Sequence, residues 1–428
     1  MLDIILFILV VAWGAQTVTS AIGVGKFRRL LRKKGREAAR EYRPRAVVIV
    51  PFKGREPGLE ANIASLLRQE YPDYRVVMVV ESEADPACAV IDGAIARHGA
   101  QRAERLVAGR APANVGQKVH NQLVALAHVK AAELGEAVWV FADSDAVPGP
   151  AWLGHLVGPL VQQHKTAVTT GYRWLVPEPG LTPMRQFCSS LGSVMNASAA
   201  CMLGHDWLNQ AWGGSMGLRR DTAEAGRLEQ HLQGAITDDY VVTRLAKRLG
   251  KRVYFVPGCL VASPVDLGVA ELVNFAHRQY LITRVYAPGI FAGALALHAL
   301  YVAGLVAAWT LVARGVALAD GGLALLGAAG LTTALVANQV RASLRGRFVR
   351  QVFDGATATR LRPALRLDRW ATWLWMSVHL LLILRAAVGR TMRWRGVRYR
   401  VYAPQHVERL DQPEPPPGRA AVATTQQK

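Results

Sequence analysis

The stretch Ala137–Val147, AVWVFADSDAV, decides how this chain folds. Ala137 to Ala142 form an unbroken apolar run that ends in Asp143-Ser144-Asp145. So short a run, closed by acids, predicts a buried strand of a parallel sheet that delivers two carboxylates to the sheet edge. Ligands of open α/β sheets bind at the carboxyl ends of the strands. Two acids one residue apart suit a hard divalent cation, which takes carboxylate oxygens. They also suit an Asx turn and a helix cap ahead of Pro148 and Trp152.

Upstream, the same pattern repeats. Ala46 to Val50 and then Pro51 read as a strand, and Ile63, Leu66 and Leu67 give the next segment a helical period, ended by Tyr71-Pro72. Arg75 to Val80 is a further strand and runs into Glu81-Ser82-Glu83-Ala84-Asp85-Pro86. Ala87 to His98 reads as a helix closed by Gly99, and Arg105 to Ala108 as a short strand. A helix from about Gln117 to Leu134 follows the loop that ends at Gly116. Its start places Lys118 and Asn121 where a phosphate can be met. Strand and helix alternate throughout, which predicts a doubly wound α/β domain with a mainly parallel sheet over residues 45–287.

Downstream, Trp152 to Gln162 reads as a helix and Ala167 to Trp174 as a strand. Phe187 to Leu203 is small and apolar, and fits a membrane-surface segment or a buried helix. Gly213-Gly214-Ser215 is Gly-rich. Thr237-Asp238-Asp239-Tyr240 opens a helix whose positive end favours both acids. Val253 to Val256 is one more strand. Acidic clusters therefore stand at Glu81–Asp85, Asp143–Asp145 and Asp238–Asp239.

The ends of the chain are of another kind. Residues 1–25 hold an apolar run long enough to cross a bilayer, and a basic linker over 26–44 follows it. Basic residues after the run, and none before it, predict an uncleaved anchor with the next domain in the cytoplasm. Residues 288–402 form a membrane region with candidate spans at 289–312, 321–340 and 370–388, and a basic linker at 341–366. One anchor and three spans leave the C-terminus outside, yet Arg390 to Arg400 prefers the inside. One segment must be re-entrant or interfacial, or a further span exists. The Pro-rich tail, 403–428, predicts disorder. The net charge of +20 gathers beside the apolar segments, which points to a membrane and away from nucleic acid. Four cysteines, none in a Cys-x-x-Cys pair, exclude a disulfide framework.

The order of these motifs resembles family 2 glycosyltransferases of the GT-A fold. Glu83-Ala84-Asp85-Pro86-Ala87 and Asn114-Val115-Gly116-Gln117-Lys118-Val119-His120-Asn121 are similar to segments of ceramide glucosyltransferases, as is Trp394-Arg395-Gly396-Val397-Arg398-Tyr399. The resemblance implies that Asp85, with Glu81 as alternative, contacts the uridine part of a UDP-sugar. It implies that Asp143 and Asp145 hold Mg2+ or Mn2+ on the diphosphate. It also implies that Lys118, Asn121 and Gly214 support the nucleotide pocket, and that Asp239, with Asp238 beside it, is the catalytic base. Such enzymes usually carry Gln/Arg-x-x-Arg-Trp ahead of their spans. Here His277 to Tyr286 has no Arg-Trp pair, and Gln279 and Arg284 are the nearest candidates for diphosphate or acceptor contacts. The resulting expectation is an integral membrane enzyme that moves a sugar, glucose foremost, from a UDP-sugar to a ceramide-like lipid hydroxyl with inversion. A processive polysaccharide synthase and a non-catalytic tethered binding module are the alternatives.

Overall fold

The computed structural model describes residues 1–34, 43–56, 58–99, 101–132, 135, 137–205 and 208–411. A long helix, α1 (Leu2–Lys34), precedes the alternating unit. That unit runs β1 (Ala46–Pro51), α2 (Leu59–Leu67), β2 (Tyr74–Val80), α3 (Ala87–His98), β3 (Ala103–Val107), α4 (Gln117–Ala131), β4 (Val138–Ala142), α5 (Trp152–Gln162) and β5 (Thr166–Pro177). Then come α6 (Pro183–Ala200), β6 (Ser215–Arg219), α7 (Arg220–Ala225), α8 (Leu228–Leu232), α9 (Asp239–Arg248), β7 (Arg252–Val265) and α10 (Val269–Tyr286).

The seven strands form one sheet in the order β3-β2-β1-β4-β6-β5-β7. β6 runs antiparallel to both its neighbours and every other pair is parallel. This is the mixed α/β sheet expected of a GT-A domain. Alternate residues face opposite layers, as strand geometry requires. Val47, Ile49, Trp139 and Phe141 pack towards α4 and α9. Val48, Val50, Val138 and Val140 pack towards α2, α3 and α5. Burial on both faces is why these strands read as continuous apolar runs.

The remaining elements are α11 (Pro288–Ala317), α12 (Gly321–Val352), α13 (Gly355–Arg360), α14 (Arg362–Trp370), α15 (Thr372–Ala387), β8 (Thr391–Trp394), β9 (Val397–Ala403) and β10 (His406–Arg409). Three helices, α1, α11 and α12, are long and apolar enough to cross a membrane. They pack closely: a Cβ on Gly304 of α11 would collide with Cβ and Cγ of Trp13 on α1, so glycine lets the two helices approach there. Arg314 of α11 also pairs with Asp3 of α1 at 2.8 Å.

Several boundaries differ from the expectation. α1 does not stop at residue 25, because Phe27 and Leu31 are buried in one cluster with Trp174 and Phe255 of the sheet and Phe348 of α12. Residues 35–42 of the expected basic linker lie outside the described residues. The basic stretch 341–366 is no linker: α12 continues through it to Val352, and α13 and most of α14 follow. Arg341 and Arg345 are buried there and share Asp368, at 3.0 and 2.8 Å. The stretch 370–388 is no simple span, because α14 and α15 meet at a bend of 95°. With 16 residues, α15 is about 24 Å long, short of a ~30 Å hydrocarbon core. Residues 403–411 are ordered, with β10 paired to β9, and 412–428 lie outside the described residues. Residues 187–203 belong largely to α6, which packs between β5 on one side and α10, α14 and α15 on the other.

Candidate active site

The carboxyl end of β4 opens into a cavity of about 270 Å³. Asp143 stands at the end of this buried strand and Asp145 two residues on, both lining the cavity. The turn between them is fixed from below: Asn62 Nδ2 donates to the Ser144 carbonyl at 2.9 Å, and Ser144 Oγ donates to Glu56 at 3.2 Å.

Lys118, in the first turn of α4, joins two acidic clusters. Its Nζ lies 2.7 Å from Asp143 Oδ1 and 3.0 Å from Asp238 Oδ1. Burial alone would push this ammonium down, but the charges of Asp143, Asp238 and Asp239 override it and hold it well above the ordinary lysine value. Burial pushes Asp143 up, and the Lys118 charge with the more distant Arg173 and Arg395 reverses this, so Asp143 stays ionised. Among the described residues no ion pair holds Asp145, and the Arg173 and Arg395 charges only partly offset what raises it. Burial first, and then the Asp143 charge, push it above the usual carboxylate range.

Asp238 and Asp239 are adjacent in sequence and opposite in setting. Asp238 is 1% exposed, and its two oxygens accept from Lys118 and, at 2.6 Å, from Gln122. Asp238 is thus absent from the cavity wall and positions Lys118, in place of the catalytic contact expected of it. Asp239 lines the cavity. Thr237 Oγ1 and the Tyr240 N–H donate to its Oδ1, at 2.6 and 2.7 Å, and neither of these bonds engages Oδ2. Burial, and then the Asp238 charge, raise Asp239 to about 6.

The far wall is cationic and aromatic. Arg173 of β5, Arg278 and Gln279 of α10, and Trp394 and Arg395 of the β8–β9 hairpin all face the cavity. The Arg278 guanidinium sits 5.1 Å from the Trp394 ring centre and the Arg173 guanidinium 5.9 Å from that of Trp212. Burial, reinforced by the charges of Arg173 and Arg395, lowers Arg278 to about 10. Arg395 pairs with Glu56 and has φ of 51°, followed by Gly396 at 81°. Two positive φ values in a two-residue loop make a type I′ hairpin turn, which usually carries Asn or Gly. An arginine there bears a backbone strain that its place in the cavity makes useful.

The profile of Glycosyl transferase family 21 matches residues 6–407. The chain belongs to glycosyl transferase family 21. The number differs from the family 2 suggested by motif order. No curated protein sequence matches the chain. Among solved structures, this family 21 chain is similar to the mannosyltransferase PcManGT from Pyrobaculum calidifontis in complex with GDP-Man and Mn2+. The identity is 17%, with 89% of this chain and 99% of that one covered and a TM-score of 0.45. It is also similar to glucosyl-3-phosphoglycerate synthase from Mycobacterium tuberculosis in complex with Mn2+, UDP and phosphoglyceric acid. There the identity is 15%, over 53% and 70% of the two chains, with a TM-score of 0.33. Neither likeness is close enough for a ligand to be transferred.

Of the residues expected from sequence, the cavity of the family 21 enzyme gathers Lys118, Asn121, Asp143, Asp145, Asp239 and Gln279. The others stand behind it. Asp85 accepts from the Gly54 N–H with both oxygens, at 2.9 and 3.2 Å, and from the Ala87 N–H at 2.9 Å. Glu81 pairs with Lys53 at 2.6 Å. Both acids therefore brace the loop after β1, from which Lys53 reaches the cavity, and neither lines it. Gly214 is also off the wall. Its neighbour Gly213 lines it, and a Cβ there would sit 2.7 Å from Lys118 Nζ. Arg284 donates to the carbonyls of Ala387 and Gly389, clamping the end of α15 rather than a substrate. Arg173 and Trp212 are cavity residues that no motif marked, and Trp394 and Tyr399 lie in the quoted stretch Trp394–Tyr399 but carry no role assigned from sequence. For Tyr399 the signal was visible in residues 397–401, Val-Arg-Tyr-Arg-Val, whose strict alternation marks a half-buried strand.

A divalent cation fits the donor set. Asp143 and Asp145 are two hard oxygen donors, and the charge of the first works against ionisation of the second, which a cation would relieve. No cluster of three or more metal-binding side chains exists among the described residues. An ion such as Mg2+ or Mn2+ takes one or two carboxylates and completes its shell with phosphate and water.

Proposed function

We propose that this enzyme transfers a sugar from a UDP-sugar to the hydroxyl of a membrane lipid, with glucose and a ceramide-like acceptor the leading pair. The observation that carries this reading is the arrangement of Asp239. It is a half-buried carboxylate with a raised proton affinity, and it shares one cavity with a carboxylate pair and three guanidinium groups.

An alcohol is a poor nucleophile until a base takes its proton as the new bond forms. Asp239 Oδ2 is the oxygen placed for that, while Thr237 and Tyr240 hold Oδ1 and fix the rotamer. Arg173, Arg278 and Arg395 crowd like charges together, a cost that an anionic diphosphate offsets. Mg2+ or Mn2+ held by Asp143 and Asp145 would supply neutralisation of the leaving diphosphate. The acceptor oxygen bonds to the anomeric carbon as the bond from that carbon to the diphosphate oxygen breaks. UDP leaves with that electron pair, and the acceptor proton goes to Asp239. Attack from the face opposite the leaving group inverts the anomeric centre. Lys118 orients Asp143, and Asp238 with Gln122 orients Lys118.

The acceptor comes from the bilayer because α10, which carries Arg278 and Gln279, leads directly into α11 across the single residue Ala287. The same continuity supports a catalytic domain seated against the membrane, and the distribution of basic residues supports the cytoplasmic side. The test is to incubate the purified full-length protein with a panel of UDP-sugars and a total lipid extract, and to identify the product by mass. One hexose added to a lipid is expected. A polymeric product, or release of sugar to water alone in the presence of every lipid fraction, would overturn the assignment.

A further inference from the structure

We propose that a second, non-catalytic site on the membrane helices binds the phosphate headgroup of an anionic bilayer lipid. It is the groove of about 430 Å³ between the last turns of α12 and the short helix α14. Arg347 and Arg350 line it from α12, and Arg362, Arg366 and Arg369 from α14. Spacings of three and four put each set on one face of its helix, so the two basic faces meet across the groove.

Three features distinguish this groove from an ordinary basic flank. First, it holds no counter-charge. α12 has no acidic residue, and Asp368, the single acid of α14, turns to the buried side onto Arg341 and Arg345. No ion pair involves any of the five arginines among the described residues, and Arg369 donates only to Ser343 Oγ, at 3.0 Å. Second, the depth is right. α12 carries no charged residue before Arg341, so Arg347 and Arg350, about two to three turns beyond Val340, emerge at headgroup level. Third, Trp370 closes one end of the groove and is 68% exposed, as an aromatic at the membrane interface would be. Guanidinium forks pair with phosphate oxygens bidentately, and basic pockets between membrane helices take phosphate headgroups.

The site is separate from the cavity at Asp143, and its occupancy does not depend on the transfer reaction. The test uses the full-length protein in detergent, titrated with dioctanoyl phosphatidic acid, dioctanoyl phosphatidylcholine or inorganic phosphate, with bound lipid counted by native mass spectrometry. Phosphatidic acid is expected to be retained, phosphatidylcholine much less, and inorganic phosphate at equal concentration is expected not to displace it. The double substitution Arg350→Gln, Arg366→Gln should weaken retention by about thirtyfold, the effect of two basic residues at a lipid surface. The matching Lys pair should keep most of it. Melting curves of both variants that overlay the parent exclude misfolding as the cause. Equal retention of both lipids, full competition by inorganic phosphate, or unchanged retention in a folded Gln pair would each overturn the proposal.

Discussion

Neighbouring carboxylates do opposite work here, and their partners decide which does what. Asp238 is fully paired, so removing it strands Lys118 and Gln122 in a buried setting. Asp238→Ala is expected to lower unfolding stability by about 3 kcal/mol, the cost of breaking a buried charge pair, read from denaturant melts. Asp239→Asn keeps the acceptor oxygen for Thr237 and Tyr240 and loses only the basic one. Its stability should match the parent while turnover falls about a thousandfold, measured as UDP release; equal loss from both variants in both assays would merge their roles. The pH profile follows from the same carboxyl. Its proton affinity is raised to about 6 by burial and by Asp238, and a base works only when deprotonated. The logarithm of turnover should therefore fall with unit slope below about pH 6 and level off above it. A rate independent of pH between 5 and 7 would exclude Asp239 as the base.

The hairpin formed by β8 and β9 shows what an element adds that a motif cannot. It follows the helices α11 to α15, yet it supplies Trp394, Arg395, Val397 and Tyr399 to the cavity. Arg395 holds a left-handed backbone at the turn, a conformation that asparagine tolerates well. Arg395→Asn should therefore preserve the fold and remove only the guanidinium. The apparent KM for the nucleotide sugar is expected to rise by one to two orders of magnitude, roughly the loss of a charge-assisted hydrogen bond, with kcat changed less. A rise confined to the lipid acceptor would move Arg395 to the other substrate.

Sequence reading located β1, β2, β4, α5 and the acids at their edges, because strands buried on both faces carry one unbroken apolar signal. It missed β6, whose five residues include Gly217 and lie antiparallel inside an otherwise parallel set. It took the continuation of α12 for a linker, because Arg341 and Arg345 look solvated until Asp368 is placed against them from 23 or more residues away. It placed Asp85 in the pocket, because nothing local reveals that the Gly54 N–H occupies its oxygens.

At the scale of the whole molecule, the cavity fixes how often the chain can cross the membrane. One wall comes from residues before α11 and another from β8 and β9 after α15, and both must lie on the same side. The chain between them therefore crosses an even number of times. α11 and α12 are each long enough to cross and account for two passages. A third passage through α14 and α15 would carry Arg395 to the wrong side, so we propose that their 95° bend belongs to a segment that enters or lies on the bilayer and returns. This also resolves the basic stretch 390–400, which then sits on the same side as the catalytic sheet. Single cysteines in a background with the four native ones replaced by alanine provide the check. Glu60→Cys and Arg398→Cys, at exposed sites of the sheet domain and hairpin, should react with an impermeant maleimide in vesicles of one orientation only. Leu318→Cys, exposed at the end of α11, should react only in the opposite orientation. If Glu60→Cys and Arg398→Cys label from opposite sides, the two cavity walls cannot meet in the membrane, and the active site assembled from them does not exist there.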